Sequence, residues 1–255
     1  MDIIERNWNW WAYFWRVKHR QTIPGIDDYD KKAVVFIIKV LDIKRGESLL
    51  DLGCGSGEHI RLLAKEGIRC VGVEIASSLV EYSRNKAREE KLEVEYLPKD
   101  MRKIDFCSEF EYCILMSGTF GFFDDKENLK LLKKIKMALK PNGRLLFDLS
   151  NPYRIRENLG NKWCKVDNGY VFIKDEFDAE NGRLGGRFFF IDKDSRMNIL
   201  KGELGWEFTR IYTLPEIRDM LNTAGIQFLK AYGSIESPYE EYKPQSHRLI
   251  VIARK

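Results

Sequence analysis

The chain has 255 residues, of which 44% are hydrophobic, so it can bury one sizeable core and still carry an appended segment. Its 43 basic and 39 acidic residues leave a net charge of +4, and the absence of a long basic run argues against a nucleic-acid partner. The five cysteines include no C-x-x-C pair, so we interpret them as reduced thiols of a cytoplasmic protein. No apolar stretch is long enough to span a bilayer or to act as a signal peptide.

The first 26 residues concentrate aromatic side chains. Four of the six tryptophans lie in this segment, and Trp8, Trp11 and Trp15 have the spacing of one helix face. We expect the segment either to pack on the rest of the chain or to close over a ligand as a lid. Because indole favours the membrane interface and basic residues follow, peripheral membrane contact is a third possibility.

Helical and strand-like segments alternate from residue 27 to residue 150. We predict helices over Asp27–Ile43, Glu58–Glu66, Ser77–Glu90 and Lys126–Leu139, and strands over Ser48–Leu52, Cys70–Glu74, Val94–Leu97, Tyr112–Met116 and Arg144–Leu149. This alternation is typical of a parallel sheet with helices on both faces. Such sheets bind ligands at the carboxyl ends of the strands, where the winding reverses. Polar residues stand at each of these ends: Asp51, Glu74, Asp100, Ser117 and Asp148.

After residue 150 the pattern changes to strand-like runs without intervening helices. These runs are Trp163–Val166, Tyr170–Phe177, Leu184–Ile191 and Ile199–Tyr212. The dipeptide Asn181-Gly182 between two of them is a strong hairpin signal. We therefore predict that residues 151–212 form an antiparallel β insertion.

The helical pattern resumes at residue 213. Thr213 and Glu216 have the spacing of a capping box, and Gly225 is placed to end the helix that they begin. Two further strands, Gln227–Tyr232 and Arg248–Ala253, complete the chain.

The most informative stretch joins a strand to a helix through three glycines, Gly53, Gly55 and Gly57. Without a Cβ, these residues can adopt positive φ and let a ligand lie against the main chain. The free N–H groups of the following helix point towards that ligand. The spacing is G-x-G-x-G, whereas dinucleotide-binding folds prefer G-x-G-x-x-G, so a nicotinamide dehydrogenase fits less well.

Two carboxylates flank this turn. Asp51 ends the preceding strand, where it would repel a pyrophosphate but suits a ligand with an ammonium and a sulfonium group. Glu74 ends the next strand, at the distance of the acidic residue that binds ribose in nucleotide-binding folds. The stretch resembles the first motif of the class I S-adenosylmethionine-dependent methyltransferases, commonly hhDhGCGxG. The resemblance covers roughly residues 28–150 and 213–255.

The resemblance implies a Rossmann-like, doubly wound sheet of seven strands in which strand 7 is antiparallel, with the β insertion after strand 5. The core that binds S-adenosyl-L-methionine would comprise residues 27–150 and 213–255. Residues 1–26 would form a lid segment and residues 151–212 a cap over the acceptor, as such segments often do in this family.

The implied cofactor is S-adenosyl-L-methionine, which leaves as S-adenosyl-L-homocysteine. By the resemblance, Asp51 and the glycine turn hold the amino-acid end of the donor, Glu74 holds both ribose hydroxyls, and Asp100 accepts from the adenine amino group. The donor-binding residues that we predict are Asp51, Gly53, Cys54, Gly55, Glu74, Ile75, Asp100, Met101, Met116 and Ser117.

Methyl transfer by direct in-line displacement needs alignment and dryness more than it needs reactive side chains. No cluster with metal-ligand spacing is present, and we predict no metal. An oxygen or ammonium acceptor must lose a proton, so a general base is possible. The weak candidates for it are His247, Asp148 and Tyr153, with Tyr239 and Tyr242 behind them.

The acceptor must be recognised by the insertion and the N-terminal segment. Candidate contacts are Trp10, Tyr13, Trp163, Tyr170 and Arg154. An aromatic enclosure suits a nitrogen or oxygen of a small metabolite better than a tRNA helix, which needs a broad basic face. Methylation of tRNA or protein, and a donor-binding sensor without catalysis, stay open as alternatives.

Overall fold

A computed structural model describes residues 26–155, 159–166, 169–192, 197–198 and 207–255. The helices are α1 (Asp28–Leu41), α2 (Glu58–Lys65), α3 (Ser77–Glu89), α4 (Asp125–Ala138) and α5 (Leu214–Ala224). The strands are β1 (Ser48–Leu52), β2 (Arg69–Glu74), β3 (Val94–Pro98), β4 (Phe110–Leu115), β5 (Leu139–Ser150), β6 (Gly160–Val166), β7 (Gly169–Asp178), β8 (Arg183–Asp192), β9 (Met197–Asn198), β10 (Glu207–Arg210), β11 (Gln227–Tyr232) and β12 (Arg248–Arg254).

Seven strands form the main sheet, in the order β11-β12-β5-β4-β1-β2-β3. The pairs from β5 to β3 are parallel, whereas β12 is antiparallel to both of its neighbours. The winding reverses between β1 and β4, the position at which a doubly wound sheet opens a crevice for a ligand. The predicted Rossmann-like sheet with an antiparallel last strand is confirmed.

Helices cover both faces of this sheet. All five residues of β1 are buried, and successive side chains point to opposite faces. Leu50 and Leu52 join the core beneath α4 and α5, while Leu49 packs with apolar residues of α1, α2 and α3. Asp51 is therefore a carboxyl group between two apolar layers, at the carboxyl end of the central strand.

The capping residues that the sequence indicates begin two of the helices. The Asp27 side chain accepts a hydrogen bond from the Asp30 backbone N–H, and the Asp30 carboxylate accepts one from the Asp27 backbone N–H, which starts α1. Thr213 and Glu216 form the same reciprocal pair at the start of α5, and Gly225 ends that helix with φ of +71°. The predicted capping box is confirmed, because its hydrogen bonds are local and need no tertiary partner.

The sequence Pro141-Asn142-Gly143, which is typical of a turn, lies within β5. Leu139 pairs with Phe110, and the next aligned pair is Arg144 with Tyr112, so the intervening residues of β5 bulge out of the ladder. Asn142 takes a φ of 63° in this bulge. The turn residues therefore interrupt the strand without ending it.

The insertion forms a second, antiparallel sheet in the order β10-β8-β7-β6, with β9 also paired to β8. The predicted meander is confirmed for the described strands, but most of its fourth run lies outside the described residues. Backbone hydrogen bonds attach this sheet to the loop after β4, since Arg210 N–H donates to the Gly121 carbonyl at 2.8 Å. The buried Arg183 side chain donates to the Phe123 carbonyl at 2.6 Å. No described helix is both long enough and apolar enough to cross a membrane.

Candidate functional site

A cavity opens at the carboxyl ends of β1, β2 and β4. It is lined by all ten residues predicted to contact the donor: Asp51, Gly53, Cys54, Gly55, Glu74, Ile75, Asp100, Met101, Met116 and Ser117. These residues come from four separate stretches of the chain. They meet because parallel strands bring their carboxyl ends to the same edge of the sheet.

Asp51 is 2% exposed and lines the cavity. Burial raises the pKa of its carboxyl group to about 7, and the neighbouring carboxyl groups of Glu74 and Glu58 act in the same direction. No hydrogen bond to its carboxylate is found within the described part of the chain. A buried carboxyl group without a partner favours a ligand that brings a positive charge.

Glu74 is also buried, but its carboxylate is already bonded to the main chain. Oε1 accepts from the Ala76 N–H at 2.8 Å, and Oε2 accepts from the Gly55 N–H at 3.2 Å. Burial raises the pKa of this carboxyl group, and these backbone donors partly offset the rise. The two bonds fix the carboxylate at the end of β2 and leave further lone pairs on both oxygens for a ligand.

Gly53 requires the absence of a side chain. Its φ is +75°, and an added Cβ would lie 2.6 Å from Thr119 Cγ2 and 3.4 Å from Met101 Cε. Its N–H donates to the Val73 carbonyl at 2.8 Å, which ties the turn to the end of β2. The turn is therefore packed from both sides and presents bare main chain to the cavity.

We expect Gly53→Ala to lower the free energy of unfolding by about 1–3 kcal/mol, because the new methyl group overlaps Thr119 in addition to the backbone strain. Chemical denaturation measures this loss. Gly46→Ala is the matched control, since Gly46 has a φ of +87° but no atom within 4 Å of its would-be Cβ. Equal losses in the two variants would show that backbone strain alone accounts for the effect.

Asp100 differs from the other two acids because a neighbouring cation holds it. Its carboxylate caps a short 3₁₀ helix at Met101–Lys103 and accepts from Arg102 through Nε at 3.1 Å and Nη2 at 2.6 Å. Although burial raises its pKa, the hydrogen bonds from Arg102 outweigh this effect and hold the pKa below the ordinary value. The Arg102 guanidinium in turn lies 4.5 Å from the centre of the Phe123 ring.

The chain was compared with known proteins. A family model described as a methyltransferase domain matches residues 49–143. The cypemycin N-terminal methyltransferase of a Streptomyces species is 25% identical over 82% of this chain and 84% of its own length. The structure of the CcbJ methyltransferase from Streptomyces caelestis superposes with a TM-score of 0.79 at 18% identity, over 96% of this chain and 98% of that one.

A further solved structure holds the donor. It is CalS10 from Micromonospora echinaspora, an amino pentose methyltransferase with S-adenosylmethionine bound, with a TM-score of 0.65 at 17% identity over 89% of this chain and 90% of that one. At these identities the likeness of the structures concerns the fold. The family match covers the glycine turn and both flanking acids. Residues 49–143 therefore form a methyltransferase domain.

Several residues that line the cavity of this methyltransferase were not predicted from the sequence. Asp30 reaches it from α1 and His59 from the first turn of α2, and their side chains approach to 3.2 Å between Nε2 and Oδ1. Thr119, Phe122 and Phe123 line it from the loop after β4. The run of aromatic residues in that loop could have indicated its place in the cavity. No sequence pattern near Asp30 or His59 indicates that the two side chains meet.

The candidate general bases of the methyltransferase lie outside the residues that line the cavity. Asp148 is buried, and its Oδ1 accepts from the Gly118 N–H at 3.1 Å. Gly118 follows Ser117, which lines the cavity, so Asp148 is connected to the cavity lining through this bond. The other carboxylate oxygen of Asp148 pairs with Arg248. His247 and Tyr153 are exposed. Their catalytic roles stay predictions.

The other two tyrosines have structural contacts. Tyr242 donates a hydrogen bond to Asn151 at 2.8 Å, and Tyr239 packs its ring edge-on against Phe36. Neither lines the cavity. Their roles as proton acceptors likewise stay predictions.

The candidate acceptor contacts are dispersed. Trp163 and Tyr170 are exposed on β6 and β7, with ring centres 5.9 Å apart. Arg154 Nη1 lies 3.0 Å from His247 Nδ1. Trp10 and Tyr13 lie outside the described residues. These assignments also stay predictions.

Proposed function

We propose that the cavity binds S-adenosyl-L-methionine through the residues predicted from the sequence and that the enzyme methylates a nitrogen or oxygen of a small molecule. The observation that carries the proposal is the meeting of Asp51, Glu74 and Asp100 around a glycine turn in one cavity. Carboxylates suit a ligand with an ammonium, a sulfonium and a ribose diol. The absence of side chains at the turn leaves room for the ligand against the main chain.

The three carboxylates differ in their hydrogen-bond partners within the protein, and each would suit a different part of the donor. The carboxylate of Asp51, which no described residue hydrogen-bonds, would accept from the α-ammonium. The carboxylate of Glu74, fixed by two backbone N–H groups, would accept from the two ribose hydroxyls. Asp100 shares its oxygens with Arg102, so its remaining lone pairs would accept from the adenine amino group.

The bound donor supplies an electrophilic methyl carbon. The residues of this chain would hold the acceptor in line with that carbon and exclude water, which provides most of the rate of a displacement reaction. Phe122 and Phe123 give the cavity an apolar wall on the side where the insertion is attached. We therefore place the acceptor between this loop and the antiparallel sheet.

The amino-acid composition and one structurally similar protein support a small molecule as the methyl acceptor. The net charge of +4 provides no broad basic surface for a nucleic acid, and CalS10 acts on an amino pentose. The relative that methylates cypemycin acts at an N-terminus, so a peptide amine is the second candidate. Both point to acceptors that carry an amino group.

Calorimetry with S-adenosyl-L-homocysteine tests the donor site. We expect saturable binding that is lost when an unrelated nucleotide such as NAD replaces the ligand. Absence of saturable binding would remove the donor assignment.

Methyl-labelled donor tests the acceptor class. The enzyme is incubated with labelled donor and, separately, with the ultrafiltrate, the protein fraction and the RNA of a bacterial extract. We expect label in the ultrafiltrate. Label in the protein or RNA fraction would contradict the small-molecule proposal, and bound donor without transfer to any fraction would indicate a sensor.

A further inference from the structure

The described lining of the cavity combines five acidic side chains with two basic ones. Its charged lining residues are Asp30, Asp51, Glu58, His59, Glu74, Lys99 and Asp100. Lys99 precedes Asp100 in the chain, and its ammonium group is paired with Asp105. His59 is the lining residue of the described chain that can carry a positive charge near Asp51.

The His59 ring is largely buried, and no described residue forms a well-formed hydrogen bond with it. Its side chain is 13% exposed, and Nε2 lies 3.2 Å from the Asp30 carboxylate but outside hydrogen-bond geometry. No described residue forms a hydrogen bond with Nδ1. Buried polar groups normally have a partner, so a ring that lines a cavity in this state is suited to a ligand.

The charges around His59 favour its protonated form. Burial lowers the pKa of the imidazole, but the carboxylates of Asp30 on α1, Asp51 on β1 and Asp148 on β5 outweigh burial and hold the pKa above its ordinary value. Glu58 on its own helix and Glu74 at the end of β2 add further acidic groups to the same cavity. The positive end of the α2 dipole lies at the same place.

A donor with an amino acid at one end brings both signs of charge. Its α-ammonium and α-carboxylate are attached to one carbon atom, so a site made of carboxylates alone would attract the first and repel the second. We infer that His59 is the residue that binds the donor α-carboxylate, while Asp51 accepts from the α-ammonium. This inference rests on the proposed donor site and names the residue that recognises one end of it.

Two ligands separate this role from a structural one. S-adenosyl-L-homocysteine carries the amino-acid end, whereas 5′-methylthioadenosine lacks it. We expect His59→Gln to weaken the binding of S-adenosyl-L-homocysteine by about 10- to 100-fold, the range for a hydrogen bond between charged groups. The binding of 5′-methylthioadenosine should stay unchanged. Lys65→Gln is the control, because it removes an exposed cation from the same helix.

Calorimetry on the full chain distinguishes the outcomes. If the affinities of both ligands fall equally, or if neither affinity falls, the proposed role of His59 is overturned. If the unaltered protein fails to bind S-adenosyl-L-homocysteine, the proposed donor site fails and this inference fails with it. Retained binding of 5′-methylthioadenosine by the variant shows that it is folded.

The pH profile gives a second readout. Asp30→Asn removes the nearest carboxylate, so His59 should lose its proton at a lower pH. We expect the fall in S-adenosyl-L-homocysteine affinity at high pH to move to lower pH in this variant, while the amino group of the ligand titrates identically in both proteins. An unmoved profile would overturn the inference.

Discussion

Replacing Asp51 by asparagine is expected to weaken S-adenosyl-L-homocysteine binding by about 1.5–3 kcal/mol, the worth of a hydrogen bond to a charged group. The same change should stabilise the ligand-free protein at neutral and higher pH. The side chain is 2% exposed and has no described hydrogen-bond partner, so its ionisation is costly in the ligand-free protein even with His59 nearby. Calorimetry measures the first effect and thermal unfolding the second.

The pH dependence of this gain follows from the raised pKa. The carboxyl group of Asp51 titrates near pH 7 in the folded protein, but at about 4 in the unfolded chain. Between these values the folded state binds the proton more tightly, so its stability falls as pH rises through that window. The asparagine variant does not ionise, and its advantage should therefore grow from about pH 4 to pH 7 and then level off.

Asp219→Asn is the matched control for this prediction, because Asp219 lies exposed on α5, away from the cavity. It should leave ligand affinity unchanged and should not reproduce the stabilisation expected for Asp51→Asn. An Asp51 variant that loses stability at every pH would contradict the assignment of a buried charge without a partner.

Replacing Glu74 by alanine should weaken donor binding by about 1–3 kcal/mol, through the loss of charge-assisted hydrogen bonds to the ribose. It should also lower stability, because the Gly55 and Ala76 N–H groups lose the carboxylate that they share. Titration with S-adenosyl-L-homocysteine and with an analogue that lacks the ribose 2′ hydroxyl separates the two effects. The analogue should lose less affinity than the complete ligand when Glu74 is replaced.

Glu95→Ala provides the comparison, since Glu95 is an exposed glutamate in β3. If the variant of Glu74 loses the same affinity for both ligands, the residue supports the glycine turn and does not contact the ribose. The two ligands separate these cases because the proposed contact of Glu74 with the ribose depends on the hydroxyl, whereas its hydrogen bonds to the backbone do not.

The arrangement links stability to function. A carboxyl group that is costly in the ligand-free protein and a histidine ring without a hydrogen bond to any described residue both line the cavity, and the proposed zwitterionic ligand would pair them. The binding energy of such a ligand would include the relief of these costs. The fixed groups, by contrast, have their positions set before binding, as Glu74 does through Gly55 and Asp100 through Arg102.

Much of the site could be predicted from the sequence because its determinants are local. A carboxylate that ends a buried strand, three glycines and a helix start are adjacent along the chain, and the alternation of strands and helices requires strand ends to share an edge. Ten residues chosen on these grounds and from the family resemblance line one cavity. The capping box at Thr213 is local for the same reason.

Contacts between distant segments could only come from the tertiary structure. Asp30 and His59 are brought within 3.2 Å by the packing of α1 on α2, which no periodicity of either helix specifies. Thr119 lies against Gly53 because β1 and β4 are neighbours in the sheet. Arg183, at the start of β8 in the antiparallel sheet, donates to the Phe123 carbonyl in the loop after β4. The sequence by itself determined the elements and the polar residues at their ends, because hydrogen bonding within a turn or cap depends on neighbours along the chain. Which side chains meet across elements was decided by packing, because it depends on the position and rotation of whole helices and strands.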